Sequence, residues 1–87
     1  MKWDWRACGS GFDLVLTESH GLGFKEVTFG YVVGNSLRAY DSWNGNRVGE
    51  YTSMIEAKRG LLEYTVAKIN MAHESSKVIF RDGDVQE

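Results

Sequence analysis

Apolar and polar residues alternate through most of the first fifty positions, and a long run at helical spacing follows them. Short glycine-containing stretches separate the alternating runs. Together these features predict an α+β domain: an antiparallel sheet of about five strands packed on one face by a single long helix, about Ser53–Ala72.

Lys2–Ala7 is the first expected strand, with Trp3, Trp5 and Ala7 on one face and Lys2, Asp4 and Arg6 on the other. Gly9-Ser10-Gly11 is a turn signal, and Phe12–Glu18 alternates again with Phe12, Leu14 and Leu16 on its apolar side, which reads as a hairpin. His20-Gly21-Leu22-Gly23 is rich enough in glycine to form a flexible connection. Glu26–Gly34 is expected to be the third strand, with Val27, Phe29, Tyr31 and Val33 forming its apolar face. Gly30 within it marks a bulge or a close approach by a neighbour. Gly34-Asn35-Ser36 turns the chain into Leu37–Trp43, whose faces are Leu37, Ala39, Asp41 and Trp43 against Arg38, Tyr40 and Ser42. Asn44-Gly45 suits a type I′ hairpin turn, after which Arg47–Tyr51 returns as a short strand.

The stretch Arg47–Asn70 is the most sharply specified part of the chain. Ser53 with Glu56 three residues later fits a capping box. Met54, Ala57, Leu61, Leu62, Thr65, Val66, Ile69 and Ala72 then share one side, with Glu56, Arg59, Glu63 and Asn70 opposite. Gly60 costs a helix about 1 kcal/mol relative to alanine, which points to a close neighbour there. Lys58 is expected to snorkel at the edge of the apolar side. His73-Glu74-Ser75-Ser76 ends the helix, with His73 a favourable charge at its C-terminus. Lys77–Arg81 is a candidate last strand, and residues 82–87 form an acidic tail expected to fray.

The 87 residues make one domain, 1–87. The single Cys8 excludes an internal disulfide and a multi-cysteine zinc site, which favours a reducing cytoplasm. Apolar runs such as Tyr31–Val33 are too short to cross a bilayer, so no membrane partner is expected. The net charge of −2, with the two signs interspersed, argues against binding held mainly by phosphate contacts.

Catalytic and cofactor signatures are missing. Neither GxxxxGK[ST] nor GxGxxG occurs, and Gly21-Leu22-Gly23 leads into a strand where a dinucleotide site needs a helix N-terminus. His20, His73 and Cys8 are far apart in sequence and lack metal-site spacing, so His20 reads as a loop residue and Cys8 as a small half-buried hydrophobe. Asp82 and Asp84 flank Gly83 without the further ligands of a calcium loop. No catalytic residue, cofactor or metal is therefore expected.

Arg47-Val48-Gly49-Glu50-Tyr51, followed by Thr52-Ser53-Met54-Ile55-Glu56-Ala57-Lys58 and Gly60, resembles a junction found in AP2-like and integrase arm-type DNA-binding domains. In those families a three-stranded sheet ends in glycine, any residue and an aromatic, then a Ser/Thr cap and a Glu-Ala helix start. The resemblance covers Val27–Asn70. It implies that Arg38, Trp43 and Arg47 read the major groove from the exposed sheet face. The chain departs from that pattern where Asp41 and Glu50 interrupt a sheet poor in basic residues. In size and style it also resembles small accessory proteins of phages and other mobile elements, including inhibitors of host defence such as anti-CRISPR proteins.

Arg38, Tyr40, Trp43 and Arg47 emerge as the candidate binding residues, being arginine and aromatic side chains that the helix does not cover. The competing reading folds the Trp3–Trp5 strand over that face as a second small core. The expected function is a non-enzymatic module that binds a protein or associates with itself as a homodimer. The alternative is a module that reads specific DNA with its exposed sheet face, which the net charge disfavours.

Overall fold

The structure, a computed structural model, describes residues 2–72 and 82–85. Five strands form one antiparallel meander in chain order: β1 (Lys2–Cys8), β2 (Gly11–His20), β3 (Gly23–Val33), β4 (Arg38–Asp41) and β5 (Arg47–Glu50). Helix α1 (Met54–Ala72) returns across β3, β4 and β5, and a helical turn, α2 (Asp82–Val85), sits beside it. The α+β architecture is the one the sequence predicts. The candidate strand Lys77–Arg81 and the helix end at His73 lie outside the described residues.

Cross-strand register decides which side chains meet the helix. Trp5, Leu14, Gly30 and Asp41 pair in one row across four strands. Ala7, Phe12, Val32, Ala39 and Gly49 form the neighbouring row on that side. Trp3, Trp5, Leu14, Leu16, Val32 and Ala39 pack there against Ala57, Leu61 and Leu62 of α1, with Val85 closing the core. Both tryptophans thus face the helix, and β1 extends the sheet instead of folding over its other side.

Two bulges correct the expected strand faces. Leu14 pairs with Gly30 but Val15 with Thr28, which leaves Phe29 as an extra residue in β3. The strand therefore changes phase, because an added residue swaps the faces of everything beyond it. Val27 and Phe29 keep to the helix side, whereas Tyr31 and Val33 are displaced to the opposite face and Val32 is buried in their place. A second bulge makes Val48 the extra residue between the pairs Ala39–Gly49 and Tyr40–Arg47.

Further differences are local. Leu37 has a left-handed backbone (φ 52°) and donates its N–H to Val33 O at 2.9 Å, so β4 starts only at Arg38. Asn44-Gly45 does not form a two-residue type I′ turn. Asp41 N–H donates to Asn46 O and Gly45 N–H to Asp41 O, closing a longer loop in which Gly45 takes φ 72°. His20-Gly21-Leu22-Gly23 is a tight turn inside a regular hairpin, not a flexible connection, because His20 and Gly23 still pair. Lys58 does not snorkel: it is 4% exposed, with Nζ 3.9 Å from the Phe12 ring centroid and 5.5 Å from that of Trp5. The segment Asp82–Val85 is not frayed, since Val85 is fully buried and Trp5 Nε1–H donates to Asp84 O at 2.7 Å. Cys8 is exposed where half-burial was expected.

The helix start follows the sequence closely. Glu56 N–H donates to Ser53 Oγ at 3.2 Å, while the Glu56 carboxylate accepts from Thr52 Oγ1 at 2.5 Å. Gly30 and Gly60 both mark close approaches, as the sequence predicts. A methyl group at Gly60 would overlap the Tyr51 ring, and one at Gly30 would lie 2.6 Å from Tyr40 O and 2.8 Å from Leu61 Cδ1. Gly30→Ala is expected to destabilise the domain by about 1–3 kcal/mol, because the first of these neighbours is backbone and cannot swing aside. Denaturant unfolding measures this, and an unchanged midpoint would contradict the close contact.

Candidate functional site

The sheet face turned away from α1 is where the register gathers the remaining aromatic and charged side chains. Arg6, Asp13, Tyr31, Tyr40 and Arg47 pair in a single row through all five strands. Val33, Arg38 and Glu50 form the next row at the β3–β5 end. Tyr31 and Tyr40 stack with ring centroids 5.2 Å apart and planes inclined by 21°. Offset stacking of this kind fixes both rings, so the face presents a preformed aromatic surface.

Charges frame the two tyrosines. Arg47 Nη1 lies 2.8 Å and Arg38 Nε 3.2 Å from the same Glu50 oxygen, Oε1. At the other end Arg6 pairs with Glu26 across β2, from strands on either side of Val15, which is only 3% exposed. The bond from Arg6 holds the Glu26 carboxyl below its ordinary range, and Glu26 in turn raises Arg6.

Trp43 is not part of this face. Ser42 N–H donates to Phe29 O, and the Trp43 ring lies 5.4 Å from the Phe29 ring, on the helix side. Lys68 of α1 places its ammonium 4.7 Å from the Trp43 centroid and 3.9 Å from Asp41 Oδ2. Asp41 is fully buried, with Tyr64 Oη–H donating to Oδ2 at 2.7 Å and Asn44 N–H to Oδ1 at 2.9 Å. The Asn44 bond, then those from Tyr64 and Asn46 and the charge of Lys68, hold its carboxyl below the usual range against the opposing effect of burial. This cluster joins the β4–β5 loop to α1 and accounts for Trp43 structurally. A shallow groove lined by Tyr64, Ala67, Lys68 and Met71 runs beside it.

Of the four expected binding residues, the structure brings together Arg38, Tyr40 and Arg47 and separates Trp43 from them. Tyr31, Glu50, Arg6 and Asp13 also belong to the face; alternation places Arg6 and Asp13 there, opposite Trp5 and Leu14, but puts Tyr31 on the apolar side. Tyr31 in particular is hidden by the bulge at Phe29, for which Gly30 is the one sequence signal. Cys8 and His20 lie at opposite ends of the β1–β2 ladder, about 30 Å apart along a ten-residue strand, and His73 lies outside the described residues. Among the described residues no three His, Cys, Asp or Glu side chains are grouped to hold a metal. No helix is long and apolar enough to cross a membrane among them.

Comparison with protein-family models, with curated proteins and with solved structures finds no match. The reading of this surface therefore rests on its own chemistry.

The Asp41 cluster sets a pH dependence. Its lowered carboxyl contributes stability that is fully present above the unfolded value of about 3.9 and is lost as pH falls through the folded value. Asp41→Asn is expected to cost about 1–3 kcal/mol at pH 7, since it weakens bonds made by a buried charged acceptor. Unfolding midpoints should converge with those of the unaltered protein as the pH falls through the lowered folded value. A gap that stays constant from pH 7 to pH 2 would contradict the assignment.

Proposed function

We propose that this chain is a non-enzymatic protein-binding module whose contact surface is the open sheet face centred on Tyr31 and Tyr40. The observation that carries the reading is the stacked tyrosine pair, 39% exposed at Tyr31 and flanked by Arg38 and Arg47, on a face that α1 leaves uncovered. Tyrosine and arginine dominate binding hot spots because they give large contact area with few freely rotating bonds lost. Here the strands hold the rings in place before any partner arrives, which lowers the entropic cost of association.

Two features favour a protein over duplex DNA. Arg38 and Arg47 converge on one carboxylate, so the positive potential that phosphates would meet is already reduced. The tryptophan that the DNA-binding resemblance would carry into the groove is held on the helix side by Phe29 and Lys68.

The test compares the unaltered protein with Tyr31→Ser/Tyr40→Ser as bait in partner capture, alongside a salt titration against duplex DNA. Losing the stacking contact is expected to cost about 0.5–1.5 kcal/mol beyond the ring area it buries, and circular dichroism of the variant checks that the domain remains folded. Capture should fall at least tenfold, the loss expected of a hot-spot residue. Equal capture by both baits, or salt-sensitive DNA binding dependent on Arg38 and Arg47, contradicts the proposal.

A further inference from the structure

We infer that the open face recognises an acidic peptide segment, and that Glu50 occupies the site of the partner's carboxylate in the free protein. This rests on the proposed use of the open face for protein binding and goes on to name the partner's chemistry.

Glu50 Oε1 accepts from Arg47 Nη1 at 2.8 Å and lies 3.2 Å from Arg38 Nε in an ion pair, so two guanidiniums converge on one oxygen. All three side chains are about half exposed, at 44%, 54% and 53%. Exposed ion pairs of this kind contribute little to stability, because water screens them and two long side chains must be held still. A carboxylate from outside can therefore take over the arginines with little loss to the fold. Each guanidinium carries five donors in a planar fork suited to a carboxylate. Arg38 and Arg47 each direct one nitrogen at Glu50, which leaves donors on both for a second acidic group.

Charge points the same way. The whole chain is net negative, at −2, yet Arg38 and Arg47 against Glu50 make this end of the face positive by one charge. At the far end Arg6 is paired with Glu26, and Asp4 and Asp13 add negative charge, so the surplus of positive charge lies at the Arg38–Arg47 end. Tyr31 and Tyr40 lie between the two ends, where they can take an aromatic or aliphatic side chain next to the acidic group. The surface thus fits a short segment carrying acidic residues beside an apolar one.

The assignment makes Glu50 a competitor of the ligand, an unusual sign for a residue within a binding surface. The test measures the affinity of a fluorescein-labelled peptide, Glu-Asp-Glu-Leu-Asp-Glu-Asp-Phe-Glu, by anisotropy. Glu50→Gln should bind it about threefold to fivefold more tightly, as expected on removal of a weak competing ion pair. Arg38→Gln and Arg47→Gln should each weaken binding by a similar factor or more, with affinity falling as salt rises. Lys25→Gln, which removes an exposed positive charge at the far end of the β2–β3 hairpin, should leave it unchanged.

Unchanged or weaker binding by Glu50→Gln overturns the inference, as does tighter binding of a duplex DNA oligomer than of the peptide. If Tyr31→Ser/Tyr40→Ser abolishes partner capture while Glu50→Gln leaves it unaltered, the open face stands and the acidic partner falls. If neither substitution alters capture, both fall.

Discussion

Leu61 rests directly on the backbone of the sheet at Gly30, and that contact governs the rest of the molecule. The Cβ that any other residue would carry there would press against both Leu61 and the Tyr40 carbonyl. The missing side chain lets α1 settle over β3–β5, with Leu14, Val32 and Ala39 packed beneath it. It also falls next to the bulge at Phe29, which puts Phe29 on the helix side and frees Tyr31 for the other. One small residue thereby determines which face is covered and which side chains remain outside.

The two faces then take up different physical tasks. On the covered side three polar groups are bound into the structure: Asp41 by Tyr64 and Asn44, Lys58 against the Phe12 and Trp5 rings, and the Trp5 indole by the Asp84 carbonyl. Such groups are costly to disturb, because any lost partner leaves a desolvated polar atom. The open side holds its charges in exposed pairs that can be exchanged at little cost. Its rings, by contrast, are fixed by stacking. A rigid aromatic centre within a ring of replaceable ion pairs is the arrangement expected of a surface that exchanges water and internal partners for an external one.

The fold class, the helix, its serine cap and the close approaches at Gly30 and Gly60 were legible in the sequence because each depends on spacing or on local chemistry. The strand faces of β3 were not, since a bulge depends on which partner residue is skipped, and alternation within one strand carries no record of that. Asn44-Gly45 likewise suited a short turn on local grounds, but the buried Asp41 carboxylate takes Asn44 N–H and the loop lengthens. Trp43 followed the same logic: its place is set by Phe29 and Lys68, fourteen and twenty-five positions away. Arg38 and Tyr40 share a face because β4 alternates cleanly, whereas Arg47 joins them only through the bulge at Val48, which swaps the face of β5.

The face opposite α1 is the one proposed to meet a partner. The most direct measurement is the change in backbone amide resonances of the 15N-labelled protein on titration with its captured partner. The largest changes are expected at Tyr31, Val33, Arg38, Tyr40, Arg47 and Glu50, with Trp43, Tyr64 and Lys68 little altered. Changes concentrated on α1 and the Trp43 loop, with the Tyr31–Tyr40 row unmoved, would contradict it.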